Sequence, residues 1–316
     1  MKKSVALLLT VILVATVATV AVGQTLEELL SQVGEDYAEG YTSPFLYAFG
    51  PNQTANLYQT AHISWGGLTW GVGLKAMGTY LNEADQSFRK VISDVDLHLY
   101  FPDDFPEGTI GDIVMGGPTM FGDTKTDGTL KGYYNGVEVG SYDTISGLID
   151  TRWVPMATPE GYIGGFVGLR AVIRWLPSFD IDEYGTFEYL GLGLQWNVSG
   201  LFENMPVDIL VGYFKTDLKV GTIFDSTAES LHLGVSKSFP ALTVYGGYAK
   251  ESSTMDVTYV FEDPVNNINE PIGFSIEGRQ DHRWTLGVTL DILLKLNFEM
   301  GHGDLTTYSA GLMFGM

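Results

Sequence analysis

Apolar residues in this chain return at every second position, over one stretch after another. Leu68, Trp70, Val72, Leu74, Ala76 and Tyr80 alternate with Thr69, Gly71, Gly73, Lys75 and Thr79. Successive side chains of a strand point to opposite faces, so this pattern predicts a strand with one apolar and one small or polar face. The pattern recurs at Val167–Trp175, Leu190–Asn197, Ser230–Ser236, Trp284–Leu290 and Leu294–Met300, and less cleanly near 207–216 and 242–259. The last stretch, Tyr308, Ala310, Leu312, Phe314 and Met316, alternates to the end of the sequence. The polar faces hold Gly, Thr and Asn more than charge, unlike the solvated face of a soluble sandwich. Trp70, Tyr80, Trp175, Trp196 and Trp284 sit near the strand ends, where membrane barrels carry aromatic girdles.

The connections follow a rhythm. Short turns are expected at 159–161, 200–206, 239–240 and 291–293, and longer ones at 177–186, 221–226, 256–277 and 303–307. This predicts an all-β chain: a transmembrane, antiparallel, up-and-down β-barrel of about ten to fourteen strands, with short turns facing the periplasm. The competing reading is a secreted soluble β protein. Residues 82–150 stay unread except for a hairpin, whose turn is Asn135-Gly136 between Tyr133-Tyr134 and Val137-Glu138-Val139.

The N-terminus bears on the compartment. Lys2 and Lys3 precede an apolar run over 5–22 that closes on Ala21-Val22-Gly23. This is the layout of a secretory signal peptide over 1–23, with Gln24 as the first mature residue; an uncleaved anchor is the alternative. Thr25 and Glu28 form a capping box ahead of a helix over Thr25–Tyr37, with Leu26, Leu29, Leu30, Val33 and Tyr37 on one face. A Gly, Pro and Asn-rich connector follows at 41–58 and carries Phe45, Tyr47 and Phe49. Residues 24–58 are expected to enter or cap the periplasmic mouth as a plug, and 59–316 to form the barrel.

Composition narrows the chemistry. The chain has 45% hydrophobic residues, yet no window after Gly23 approaches the ~20 apolar residues of a helical span. It has no Cys, so cohesion cannot come from disulfides. A net charge of −21 excludes nucleic acid as a partner. The five histidines are dispersed with no metal spacing, and no Gly-x-Ser-x-Gly elbow occurs. No enzyme, cofactor or metal site is therefore expected. Arg170 and Arg174 fall on the lumen phase of their strand, because an Arg on the lipid face costs roughly 2–4 kcal/mol near the midplane. Glu188 and Glu299 are their expected carboxylate partners. The four form either an ion-pair network or a constriction for anionic solutes.

Three stretches carry a family resemblance: Tyr41-Thr-Ser-Pro-Phe-Leu-Tyr-Ala-Phe-Gly50 with the Trp70 strand; Gly117-Pro118-Thr119-Met120-Phe121-Gly122; and Gly168-Leu-Arg170 through Arg174-Trp-Leu-Pro177 with Tyr184-Gly185-Thr-Phe187. They resemble an uncharacterised family of bacterial outer-membrane barrels, a domain of unknown function, with a distant likeness to long-chain fatty-acid transporters. The resemblance implies a barrel with an N-terminal plug segment and supplies no site residues. The expected role is a channel or transporter for small, hydrophobic solutes in the cell outer membrane. Membrane lipid and the barrel assembly machinery are the expected partners. The alternative is a structural or secretion-associated scaffold.

Overall fold

The computed structural model describes residues 34–181, 185–202, 204–263 and 268–315. The alternating stretches become a closed antiparallel barrel. Its ten strands are β1 (Thr69–Tyr80), β6 (Trp153–Phe166), β7 (Leu169–Ile181), β8 (Gly185–Asn197), β9 (Asp208–Val220), β10 (Phe224–Phe239), β11 (Leu242–Asp263), β13 (His282–Asp291), β14 (Lys295–His302) and β15 (Thr306–Gly315). β15 pairs with β14 on one side and with β1 on the other, so the last strand closes the ring and leaves no edge there. β11 is longer than its neighbours. Its first part pairs with β13, and its last part with an extra strand, β12 (Ile268–Glu277).

The faces fall as period two demands. Leu192 is 54% exposed on the outer wall, while Gln195 is 1% exposed inside. The outer surface is apolar between two aromatic levels, Trp70 with Phe314 at one end and Tyr80, Trp153 and Tyr308 at the other. Ten residues separate Trp70 from Tyr80 along β1. That is about 33 Å of strand, or about 25 Å of barrel height at a ~40° tilt, the height of a membrane-barrel apolar band.

The two ends differ. The end near Thr69 has the turns between β6 and β7, β8 and β9, β10 and β11, and β13 and β14. The β6–β7 turn is Val167-Gly168, both at positive φ, as a two-residue hairpin needs. Glu160, expected in a turn, instead sits within β6. Above Glu160 and Arg174 the β6–β7 ladder stops, and Pro155, Pro159 and Pro177 occupy the unladdered part. A proline has no N–H to give a ladder, so this seam tolerates what a central strand would not. The seam is why sequence reading broke β6 at its second proline.

The opposite end holds the excursion between β1 and β6. It is a four-stranded antiparallel sheet of β2 (Ser87–Asp96), β3 (Ile110–Pro118), β4 (Asp127–Tyr134) and β5 (Val137–Ser146). Asn135 and Gly136 make its predicted hairpin turn, at φ 53° and 79°.

The helix differs from expectation. Leu26, Leu29, Leu30 and Val33 lie outside the described residues, and helix α1 runs over Glu35–Gln53, through most of the expected connector. Tyr37 and Tyr41 pack on the small sheet; Thr144 donates to the Tyr37 hydroxyl at 2.7 Å, and Tyr41 donates to the Ser146 carbonyl at 3.1 Å. Farther along, Phe45 stacks between Phe49 and Phe224 at the barrel mouth. The segment reads as irregular because most of it is enclosed by protein and its few exposed polar residues, Glu35, Asp36 and Glu39, lie in its first turns and set no period along the rest. A helix satisfies most of its backbone groups internally, which a buried stretch requires, even with Pro44 and Pro51 inside it.

Candidate functional site in the barrel lumen

After α1 the chain does not turn aside. Residues 54–62 run down the lumen from the small-sheet end to the short-turn end, and 63–68 lead into β1. The path is fixed by wall side chains. Arg283 on β13 donates to the Pro51 carbonyl at 2.7 Å and to the Thr54 hydroxyl at 2.9 Å. Arg174 on β7 donates to the carbonyls of Gln53 (3.3 Å) and Asn56 (2.7 Å). Gln195 on β8 holds the Leu57 carbonyl at 2.8 Å, and Thr289 on β13 the Gln59 carbonyl at 2.7 Å. Arg170 reaches the Thr60 carbonyl at 3.3 Å, and Asn197 the Ala61 carbonyl at 2.8 Å. Glu299 accepts from the Asn56 amide at 2.8 Å, and Ser236 from the Ala61 amide at 2.9 Å. His62 closes the run on Asp208 at 3.0 Å.

The wall charges are paired with one another. Arg174 meets Glu160 at 2.9 Å, and Lys75 lies 3.8 Å from the same carboxylate. Arg283 meets Glu251 at 2.9 Å. Lys75 also donates to the Asn56 side-chain oxygen at 2.7 Å, and Glu299 accepts from the Tyr245 hydroxyl at 3.1 Å. The fully buried Lys75 and Arg174 show why pairing is needed, since an isolated buried charge costs several kcal/mol. Lys75, Arg170, Arg174 and Arg283 face Glu160, Glu251 and Glu299, four basic groups against three acidic ones, so the wall is nearly neutral.

Two side chains of the threading segment have their own slots. Asn56 sits between Lys75 and Asn297. The Tyr58 ring stacks on His232 at 5.6 Å and tilts against Tyr245 at 5.4 Å. It lies against Gly234 and Gly247, which are directly paired across β10 and β11. A Cβ on Gly234 would come within 2.7 Å of the ring, and one on Gly247 would strike its hydroxyl. The two glycines form a niche in the wall that only the missing side chains leave open.

The expected site is therefore partly assembled. Arg170, Arg174 and Glu299 face the lumen. Glu188 does not: it is exposed on the outer face, opposite Lys219 on β9. It shares the phase of Leu190, Leu192 and Leu194, so the same alternation that places those leucines outside places Glu188 there too. Its role falls to Glu160, hidden in the sequence by flanking Pro159 and Gly161. Of the residues expected to form a plug, Tyr37, Phe45 and Phe49 belong to helix α1. That helix caps the mouth opposite to the one expected, and Glu35 lies at the far end of the barrel from Gly315. Among the described residues no group of three or more His, Asp or Glu could hold a metal, and no helix is long and apolar enough to cross a membrane.

No curated protein matches the chain. Among solved structures it is similar to a loop-deletion mutant of OmpT, an outer-membrane protein of Vibrio cholerae, at 12% identity and a TM-score of 0.25, over 80% of this chain and 100% of that one. It is also similar to Pseudomonas aeruginosa OpdO, at 9% identity and a TM-score of 0.22, over 80% and 98%. The transport unit of the Escherichia coli autotransporter AIDA-I aligns at 8% identity and a TM-score of 0.26, over 88% and 97%. The model of the family of unknown function DUF6588 matches residues 1–316, and the chain belongs to that family.

Proposed function

We propose that this protein is an outer-membrane channel held closed by its own residues 51–62, and that it passes small polar solutes when this segment leaves the lumen. The observation that carries the reading is the chemistry of the wall behind the segment: lysine, arginine, glutamate, glutamine and asparagine in a barrel interior. Apolar fillings of similar volume are often as stable as buried ion pairs or more so. A lumen built only to be solid has no need of these charges, whereas a lumen that empties needs a wall that water can wet.

The outer wall supports the location. Its continuous apolar surface, including Leu190, Leu192, Leu194, Leu286, Val288 and Phe298, far exceeds the few hundred Å² a soluble monomer exposes. Export would follow cleavage after Gly23, with N-terminal sequencing of membrane-extracted protein expected to begin at Gln24.

The test is conductance in planar bilayers, with the full chain beside a variant whose residues 51–62 are replaced by a Gly/Ser stretch of equal length. The full chain should be quiescent and the variant should give stepwise conductance. A folded variant as silent as the full chain would overturn the channel and favour the scaffold role.

A second reading follows from the β6–β7 seam. Behind it lies an apolar cluster of Met77, Met156, Leu176, Phe187, Tyr189 and Leu218. An apolar solute could cross the wall there, the solute class that a likeness to fatty-acid transporters would favour. Uptake of a fluorescent fatty acid by cells carrying the full chain, against cells lacking it, separates the two.

A further inference from the structure

The wall grips the backbone of the threading segment along its whole length. Six donors, Arg283, Arg174, Gln195, Thr289, Arg170 and Asn197, take the carbonyls of Pro51, Gln53, Asn56, Leu57, Gln59, Thr60 and Ala61. Every residue of a polypeptide offers such a carbonyl, so these contacts do not depend on which side chains the segment carries. Its first three residues end helix α1, and beyond Gln53 it runs irregularly, with Asn56 in the left-handed region at φ 55°. Thr54 is held by Arg283 and Gln59 by Thr289, six residues apart on β13. Side chains add hydrogen bonds at Asn52, Gln53, Thr54, Thr60 and His62, and two more, Asn56 and Tyr58, fill slots in the wall, the second of them the Gly234–Gly247 niche.

We propose that the lumen is a binding channel for a polypeptide segment, that residues 51–62 are its resident ligand supplied in cis, and that a separate peptide with an aromatic residue in register with the niche can take their place. This rests on the channel reading and names the ligand class of the same lumen. It makes closure a matter of local concentration: the tethered segment wins because it is always present, not because nothing else fits.

The experiment uses the full-length Gly/Ser-substituted chain in micelles and three labelled synthetic dodecamers, read by fluorescence anisotropy. The first spans 51–62. The second is a scramble that keeps Asn and Tyr at the sixth and eighth positions. The third is the 51–62 peptide with Tyr58→Ala. The first should bind most tightly and the second should still bind, since it keeps the backbone and both slotted side chains; the third should bind at least about tenfold more weakly than the first, since one lost niche contact worth 1.4 kcal/mol is a factor of ten. If no peptide binds a folded barrel that conducts, the inference fails while the channel reading stands. Equal binding of all three peptides overturns the niche as the anchor. Should the substituted chain fail to fold, the assembled wild-type chain carrying a protease site between Gly66 and Gly67 replaces it. After cutting, a labelled peptide of residues 34–62 should exchange into the lumen, and its Tyr58→Ala form should exchange poorly. No exchange under denaturant that leaves the barrel folded overturns the inference.

Discussion

Two carboxylates show how much environment decides at the scale of single residues. Glu160 is buried and shared by Arg174 and Lys75. Removing Arg174 leaves Glu160 with one more distant cation and frees the carbonyls of Gln53 and Asn56. Arg174→Ala should destabilise the barrel by about 3–5 kcal/mol, the cost of breaking a buried pair from one side. Urea titration of refolded protein measures this; a loss under about 1 kcal/mol would show that water replaces the guanidinium. Asp96, half-buried at the end of β2, is the contrast. The Gly108 amide, and to a lesser degree that of His98, hold its carboxyl below the usual range. Its folded value lies below its unfolded one, so its contribution is present above the unfolded value and disappears as pH falls through the depressed one. Protection of the Gly108 amide from hydrogen exchange should therefore fall selectively under acid, while that of barrel amides persists.

Single elements obey alternation even where the tertiary setting is unusual. β8 shows this most simply: Leu190, Leu192 and Leu194 outside, Gly191 and Gln195 inside. Leu192→Arg should hinder insertion by roughly 2–4 kcal/mol. Gln195→Arg adds a cation beside Arg170 in a polar lumen and should hinder it less. Folding yield into lipid vesicles compares the two, and equal losses would contradict the assigned faces. The hairpin of β4 and β5 was legible because Asn-Gly is a local signal. Helix α1 was not, since it is largely enclosed by protein and its prolines and glycines resemble a loop.

Closure belongs to the whole molecule. β15 completes the ring between β14 and β1. Deleting 306–316 should expose both of their edges and abolish the faster gel mobility that folded barrels show before heating. A truncated chain that keeps that mobility would mean that another strand can close the ring. The threading segment depends on the same closure, because its donors come from β7, β8 and β13, and its acceptors include β10 and β14. None of these sites exists until all of those strands stand in one circle.

The chain by itself determined which residues face out and which face in, that it is all-β with a final alternating strand, and that Arg170, Arg174 and Glu299 point inward. These follow from the two-residue period of an extended backbone, a property of adjacent residues. Alternation also puts Glu188 outside with Leu190; tertiary structure alone decided that Glu160 answers Arg174, that β6 runs unbroken past two prolines, and that β2–β5 form a separate sheet. It also decided that residues 54–62 enter from the far mouth and run through the lumen. Each of these depends on which strands become neighbours around the ring. That is settled by pairing between residues far apart in the chain, and alternation carries no record of it.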